Sequence, residues 1–135
     1  MNNGEVISRN VKELCKLDMG LYKCVAPNIC TDRVVLTERA MLHIAEHHPE
    51  AYNEVLIELK ETIINPDYII KDEKHIATGL VIKAINSREN VFIVLRIVTE
   101  SDDNNLANYV VSGWKISKKR LKSYLKNKEL IYKAQ

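Results

Sequence analysis

The chain has three cysteines and no CxxC pair, no internal repeat, no low-complexity segment and no apolar run approaching the roughly 20 residues of a membrane span. An odd count spread over Cys15, Cys24 and Cys30 indicates neither a disulfide framework nor a regular zinc ribbon, so free thiols are expected. The opening MNNGEVISRNVKEL lacks a basic stretch followed by an apolar one, and a soluble, cytoplasmic chain without membrane attachment is the expectation. Net charge is only +2 at pH 7 and selects no polyanionic partner by itself.

The sequence has enough material for one core: 135 residues, 46% of them hydrophobic, read as a single domain over 1–135. Its charge is unevenly spread. Residues 115–133 hold eight of the 20 Lys and Arg against one acid, Glu129. Clustered cations gain free energy by displacing counterions from nucleic acid, although a solvated helix face is the better explanation of such a patch taken alone.

Val6, Val11, Leu14 and Leu17 recur at helical spacing and predict an N-terminal helix that ends before Gly20. Val34 to Leu36 is a short extended piece, after which Thr37 is placed to cap a helix. Pro49 predicts a break near His48 and a second helix to about Ile63, closed by the turn Asn65-Pro66-Asp67 and an extended Tyr68 to Ile70. Three apolar strands follow, Gly79 to Ile85, Val91 to Thr99 and Asn108 to Ile116, separated by loops at 86–90 and 100–107. Ser117 reads as the cap of a basic helix from Lys118 to about Lys126, and Leu130 to Tyr132 as a segment docking on the sheet edge. The order implies an α+β domain with helices on one face of an antiparallel sheet, the other face being solvated, covered or used.

Several residues break the local pattern. Lys83 and Arg96 are single cations in otherwise apolar strands, costly if buried unpaired, unless each snorkels to solvent or meets a carboxylate. A four-residue loop from Ser87 to Asn90 puts both on one sheet face, whereas a five-residue loop from Asn86 puts them on opposite faces. His43 and His47 share a helix face and His48 follows at its end, three imidazoles able to exchange protons near neutral pH. The order H-I-A-E-H does not reproduce HExxH, and no metal is expected. Ser112 and Trp114 point to one side of the third strand, offering a hydroxyl and an aromatic surface whose commonest role is a core anchor and whose functional one is base stacking. Tyr132 reads as packing.

The run TDRVVLTERAMLHIAEHHPEAY, then INPDYII, TGLVIKAI, VFIVLRI and VVSGWKISKKRLKSYLKNKELIY, resembles the phage-type barnase/EndoU/colicin/RelE-like nucleases (the BECR fold) over roughly residues 17–133. The resemblance implies N-terminal helices on a roughly four-stranded antiparallel sheet with a basic C-terminal helix, and a metal-independent endoribonuclease needing no cofactor. The family's HI-x-x-RHP pattern falls on His43 and His48, with His47 where arginine is usual; its strand cations fall on Lys83 and Arg96, and its hydroxyl on Ser112. Cleavage by 2'-hydroxyl transesterification is then expected, His43 or His48 moving protons while Lys83, Arg96 and Ser112 stabilise the phosphorane. His47, Trp114, Lys115, Lys118, Lys119 and Arg120 form the expected substrate-binding set. RNA is the expected partner, and a phage or mobile-element toxin of this kind implies a cognate inhibitor or antitoxin protein. Histidine at position 47 favours the alternatives, a catalytically inactive module gripping RNA or a ribosome, or a protein-interaction module on the same fold.

Overall fold

The computed structural model describes residues 11–102 and 107–135, so the Val6 part of the expected first helix and the middle of the 100–107 loop lie outside the described residues. Among the described residues, seven strands form one sheet: β1 (Val11–Lys16), β2 (Arg33–Thr37), β3 (Tyr68–Lys71), β4 (Thr78–Ala84), β5 (Glu89–Arg96), β6 (Asn108–Ser117) and β7 (Leu130–Lys133). Four helices accompany them: α1 (Met19–Tyr22), α2 (Glu38–His47), α3 (Tyr52–Ile64) and α4 (Lys118–Asn127). Among the described residues, no helix is long and apolar enough to cross a membrane.

The sheet order is β1-β2-β6-β5-β4-β3-β7, with β2–β6 parallel and every other pair antiparallel. Seven strands replace the roughly four expected, because both flanking segments contribute edges. Leu130 to Lys133 pairs with β3, as its docking position suggested. Val11 to Lys16 is a strand and not the expected helix. Its register shifts between Glu13 and Cys15, leaving Leu14 as the extra residue, so Val11 and Leu14 stand three apart in a bulged strand and imitate a helical period.

Helices lie on both faces, which corrects the one-face expectation. Val81, Ile93, Leu95 and Ile69 meet Val55, Leu59 and Ile63 of α3 on the first face. Each such burial stabilises by about 1.5–3 kcal/mol. Gly113 permits the close approach, since a Cβ there would lie 2.8 Å from Ile93 Cδ1 and 3.0 Å from Val55 Cγ1. The buried Tyr22 hydroxyl donates to the Ile63 carbonyl at 2.7 Å and ties α1 to the end of α3. On the second face Ile70, Leu80, Ile82, Phe92 and Ile116 pack under Leu121, Tyr124 and Leu125 of α4. The cap positions agree with expectation: Thr37 Oγ1 accepts from Ala40 N at 3.0 Å and Ser117 Oγ from Arg120 N at 3.1 Å.

The parallel join is short, with only Val34 opposite Asn108 and Val35 opposite Tyr109. It is reinforced by the fully buried Asn108 side chain, whose Nδ2 donates to the carbonyls of Thr31 (2.8 Å) and Arg33 (3.0 Å) while its Oδ1 accepts from Val98 N (2.8 Å). Beyond the join β2 ends at Thr37, and α2 lies against β6 instead. Asn108→Ala is expected to cost about 2–4 kcal/mol, because it removes three buried bonds and strands the Val98 N–H. Urea unfolding followed by circular dichroism checks the value; a loss below about 0.5 kcal/mol contradicts the clamp.

Candidate active site

Ala40 and Ile44 bury one side of α2, which leaves His43 and His47 exposed on another, their ring centroids 4.4 Å apart. The helix stops at His48, whose N–H still bonds to the Ile44 carbonyl at 2.8 Å while its backbone departs from helical angles. Its ring consequently stacks on Trp114 at 4.9 Å, and Trp114 stacks on Phe92 at 4.7 Å, which meets Tyr124 of α4 at 5.2 Å. Four rings thus run from the end of α2 to α4 across the second face.

Beside this ladder lies a cleft of about 970 Å³. Its floor is Leu80, Phe92 and Val94 with Ser112 and Trp114; its walls bring in His43, His47, His48, Arg96 and Tyr109. A register shift in β6 between the partners of Val94 and Leu95 makes Val111 an extra residue. Tyr109 and Ser112, three apart, therefore share the cleft face, and bulges are common beside functional sites for this reason. Ser112 Oγ is the buried polar side-chain atom without a hydrogen-bond partner among the described residues, although a hydroxyl can donate one bond and accept two. It lines the cleft floor.

Arg96 reaches the cleft already engaged. Its Nη2 donates to Asp102 Oδ1 at 2.7 Å and its Nη1 to the Ile97 carbonyl. The Thr99 N–H, then the Arg96 guanidinium, hold the Asp102 carboxyl below its ordinary range. That stabilisation is complete above the ordinary carboxylate value of about 4 and disappears as pH falls through the lowered one.

The structure brings together His43, His47, His48, Arg96, Ser112 and Trp114. Lys83 does not join them. The β4–β5 register pairs Lys83 with Val91 and Thr78 with Arg96, so the two cations occupy opposite faces, although the connection is neither of the loops expected: β4 ends at Ala84 and β5 begins at Glu89, which leaves a four-residue loop at 85–88. Asn86 makes that loop: its Oδ1 accepts from the N–H groups of Arg88 and Glu89, both at 2.8 Å. Lys83 Nζ donates to the Asn65 carbonyl at 2.7 Å, with Asp67 at 3.9 Å, and closes the turn after α3. Lys115 is also withdrawn, held by Glu54 (2.6 Å) and Glu89 (3.2 Å) on the first face, which raises its pKa. Lys118, Lys119 and Arg120 are exposed on the first turn of α4 and do not line the cleft; Arg120 lies over the Tyr124 ring at 5.8 Å. Lys128, counted in the basic cluster, does line it, as do Lys74 and His75, which escaped the sequence reading because turn residues carry no periodic signal. Among the described residues, no three His, Cys, Asp or Glu side chains gather as a metal site requires.

A family model described as phage-Barnase-EndoU-ColicinE5/D-RelE like nuclease2 matches residues 12–133. No curated protein and no solved structure matches the chain. The geometry generates a test of its own: Lys83→Met should lower stability by about 1–2 kcal/mol in urea while leaving nucleic-acid affinity unchanged. Weakened binding with unaltered stability would restore Lys83 to the site.

Proposed function

The chain belongs to the phage-Barnase-EndoU-ColicinE5/D-RelE like nuclease 2 family, and from that premise we propose that it is an endoribonuclease cleaving RNA by metal-independent attack of the 2'-hydroxyl at the His43–Ser112 cleft. The observation that carries the reading is the Ser112 hydroxyl, buried and without a partner among the described residues on the floor of a cleft lined by four imidazoles. A group left unsatisfied in the folded chain has free hydrogen-bonding capacity for a substrate oxygen. His43 or His48 exchanges a proton with the reacting ribose or the leaving oxygen. Ser112 donates to a nonbridging phosphate oxygen, and the remaining donors of Arg96 face the developing charge. Trp114 offers an edge for base contacts beside the stacked His48.

Helix α4 supports a polyanionic substrate. Its first turn carries Lys118, Lys119 and Arg120 and no acid, although the helix dipole there favours negative charge. Three cations at the positive end of a helix disfavour the isolated fold and favour a phosphate backbone laid across it. The reading extends to a cytoplasmic phage or mobile-element toxin restrained by an inhibitor protein.

Incubation of total RNA and transfer RNA with the chain in chelator should give fragments ending in 2',3'-cyclic phosphate. His43→Ala and His48→Ala are expected to slow cleavage by about 10²–10⁴-fold for the true proton carrier, and Ser112→Ala by about 10²–10³-fold. The second reading, a module that binds RNA without cutting, draws support from His47, and salt-sensitive gel shifts with intact RNA would establish it over the first.

A further inference from the structure

Transesterification moves two protons. The 2'-oxygen bonds to phosphorus as its proton passes to one group, and the bond from phosphorus to the 5'-oxygen breaks as that oxygen takes a proton from another. The products are a 2',3'-cyclic phosphate and a 5'-hydroxyl, with nothing oxidised or consumed. Attack and departure occur on opposite sides of phosphorus, so the two groups must flank it. His43, His47 and His48 all come from the second half of α2 and its C-cap, on one side of the cleft.

The fourth histidine of the chain stands on the other side. His75 lies in the turn between β3 and β4 and lines the same cleft. Sheet order fixes its placement: α2 lies along β6, the turn joins β3 to β4, and β5 runs between them. Strand spacing makes that floor roughly 10 Å wide, room for a phosphodiester between the two walls.

His75 is also held as a proton carrier needs to be. Its Nδ1 meets Asp72 Oδ2 at 2.9 Å, and the other carboxylate oxygen, Oδ1, accepts from Lys74 N at 3.0 Å. Asp72 is mostly buried, with 15% of its side chain exposed, while His75 is 71% exposed. A carboxylate fixed at Nδ1 sets the tautomer and leaves Nε2 to the open side. The turn itself is pinned, Asp72 N bonding to the Thr78 carbonyl (3.1 Å) and Ile97 N to that of Ala77 (2.8 Å). Ala77 has φ 50°, the positive-φ non-glycine position among the described residues, and such strain costs about 1–3 kcal/mol and persists only where surroundings enforce it.

We infer that His75, oriented by Asp72, is the second proton carrier of the cleft and works across it from the α2 histidines; this rests on the nuclease reading above. Other titratable groups share its surroundings. Lys71, Glu73 and Lys74 belong to its own segment, while Arg96 of β5, Tyr109 of β6, Tyr124 of α4 and Lys128 at the C-cap of α4 face the cleft. None of these carries a ring nitrogen opposite α2, which is the property the reaction requires.

The test is steady-state cleavage of a single-stranded RNA by wild type, His75→Ala, His75→Gln, Asp72→Asn, His43→Ala and His48→Ala from about pH 5 to 9, with circular dichroism to verify folding. His75→Ala and His75→Gln should lower kcat by about 10²–10⁴-fold with KM within about threefold, and turn a bell-shaped pH profile into a one-sided one. The slower of the two α2 variants should lose the opposite limb. Asp72→Asn, a positioning change, should cost about tenfold in kcat and shift the His75 ring resonances. Cleavage by folded His75→Ala within about threefold of wild type, a loss confined to KM, or loss of the same limb in both variants overturns the inference. A wild-type chain inert toward RNA overturns the parent reading and this one with it, a result distinct from equal cleavage by wild type and His75→Ala.

Discussion

The two-residue parallel join between β2 and β6 is the constraint on which the cleft depends. Val34 and Val35 meet Asn108 and Tyr109, and the Asn108 amide binds the backbone of the strand beside it and of the segment after β5. Were the pairing longer, β2 would occupy the edge of β6 beside Ser112 and Trp114. Because it stops at Thr37, whose hydroxyl begins α2, that edge receives a helix instead. The helix buries Ala40 and Ile44 toward the first-face core and delivers imidazoles to the second face. One polar side chain in the sheet thus allows a helix to serve two faces at once.

The cleft is an apolar floor edged by charges that are mostly committed. Phe92, Val94 and Leu80 lie beneath it, and Arg96 is bound to Asp102. An apolar floor lowers the local dielectric and strengthens whatever polar contacts a bound phosphate makes. The paired arginine keeps a fixed orientation in the absence of substrate, which removes part of the reorganisation a mobile lysine would require. Lys83, expected at the site as an in-strand cation, and Lys115, expected there with the basic C-terminal cluster, instead close a turn and join two acids on the opposite face.

Much of this architecture was legible in the residues. The capping residues Thr37 and Ser117, the break at Pro49, the three meander strands and the docking of Leu130 to Tyr132 all follow from local chemistry that the tertiary structure respects. Two bulges defeated the periodic reading. One made β1 look helical; the other, at Val111, put Tyr109 on the same side as Ser112. The face of Lys83 turned on the side-chain bonds of Asn86, which set the hairpin length and which no alternation pattern encodes. Of the six cleft residues expected and found, five lie in α2 and β6 or directly beside them, while Arg96 reached the cleft through a register that differs from the one that first grouped it with Lys83.

The short parallel join also bears on the order in which the chain folds. Strands β4, β5 and β6 pair with neighbours in sequence, so their contacts close small loops. Asn108 and the Arg33 carbonyl are 75 residues apart, and bringing them together carries a larger loop-closure cost that must be met before the pairing repays it. The topology therefore puts the meander early and the arrival of β2 and α2 late. On that order Ser112 and Trp114 are expected to be set in the sheet before the histidines reach them, with the cleft completed only when β2 and α2 dock.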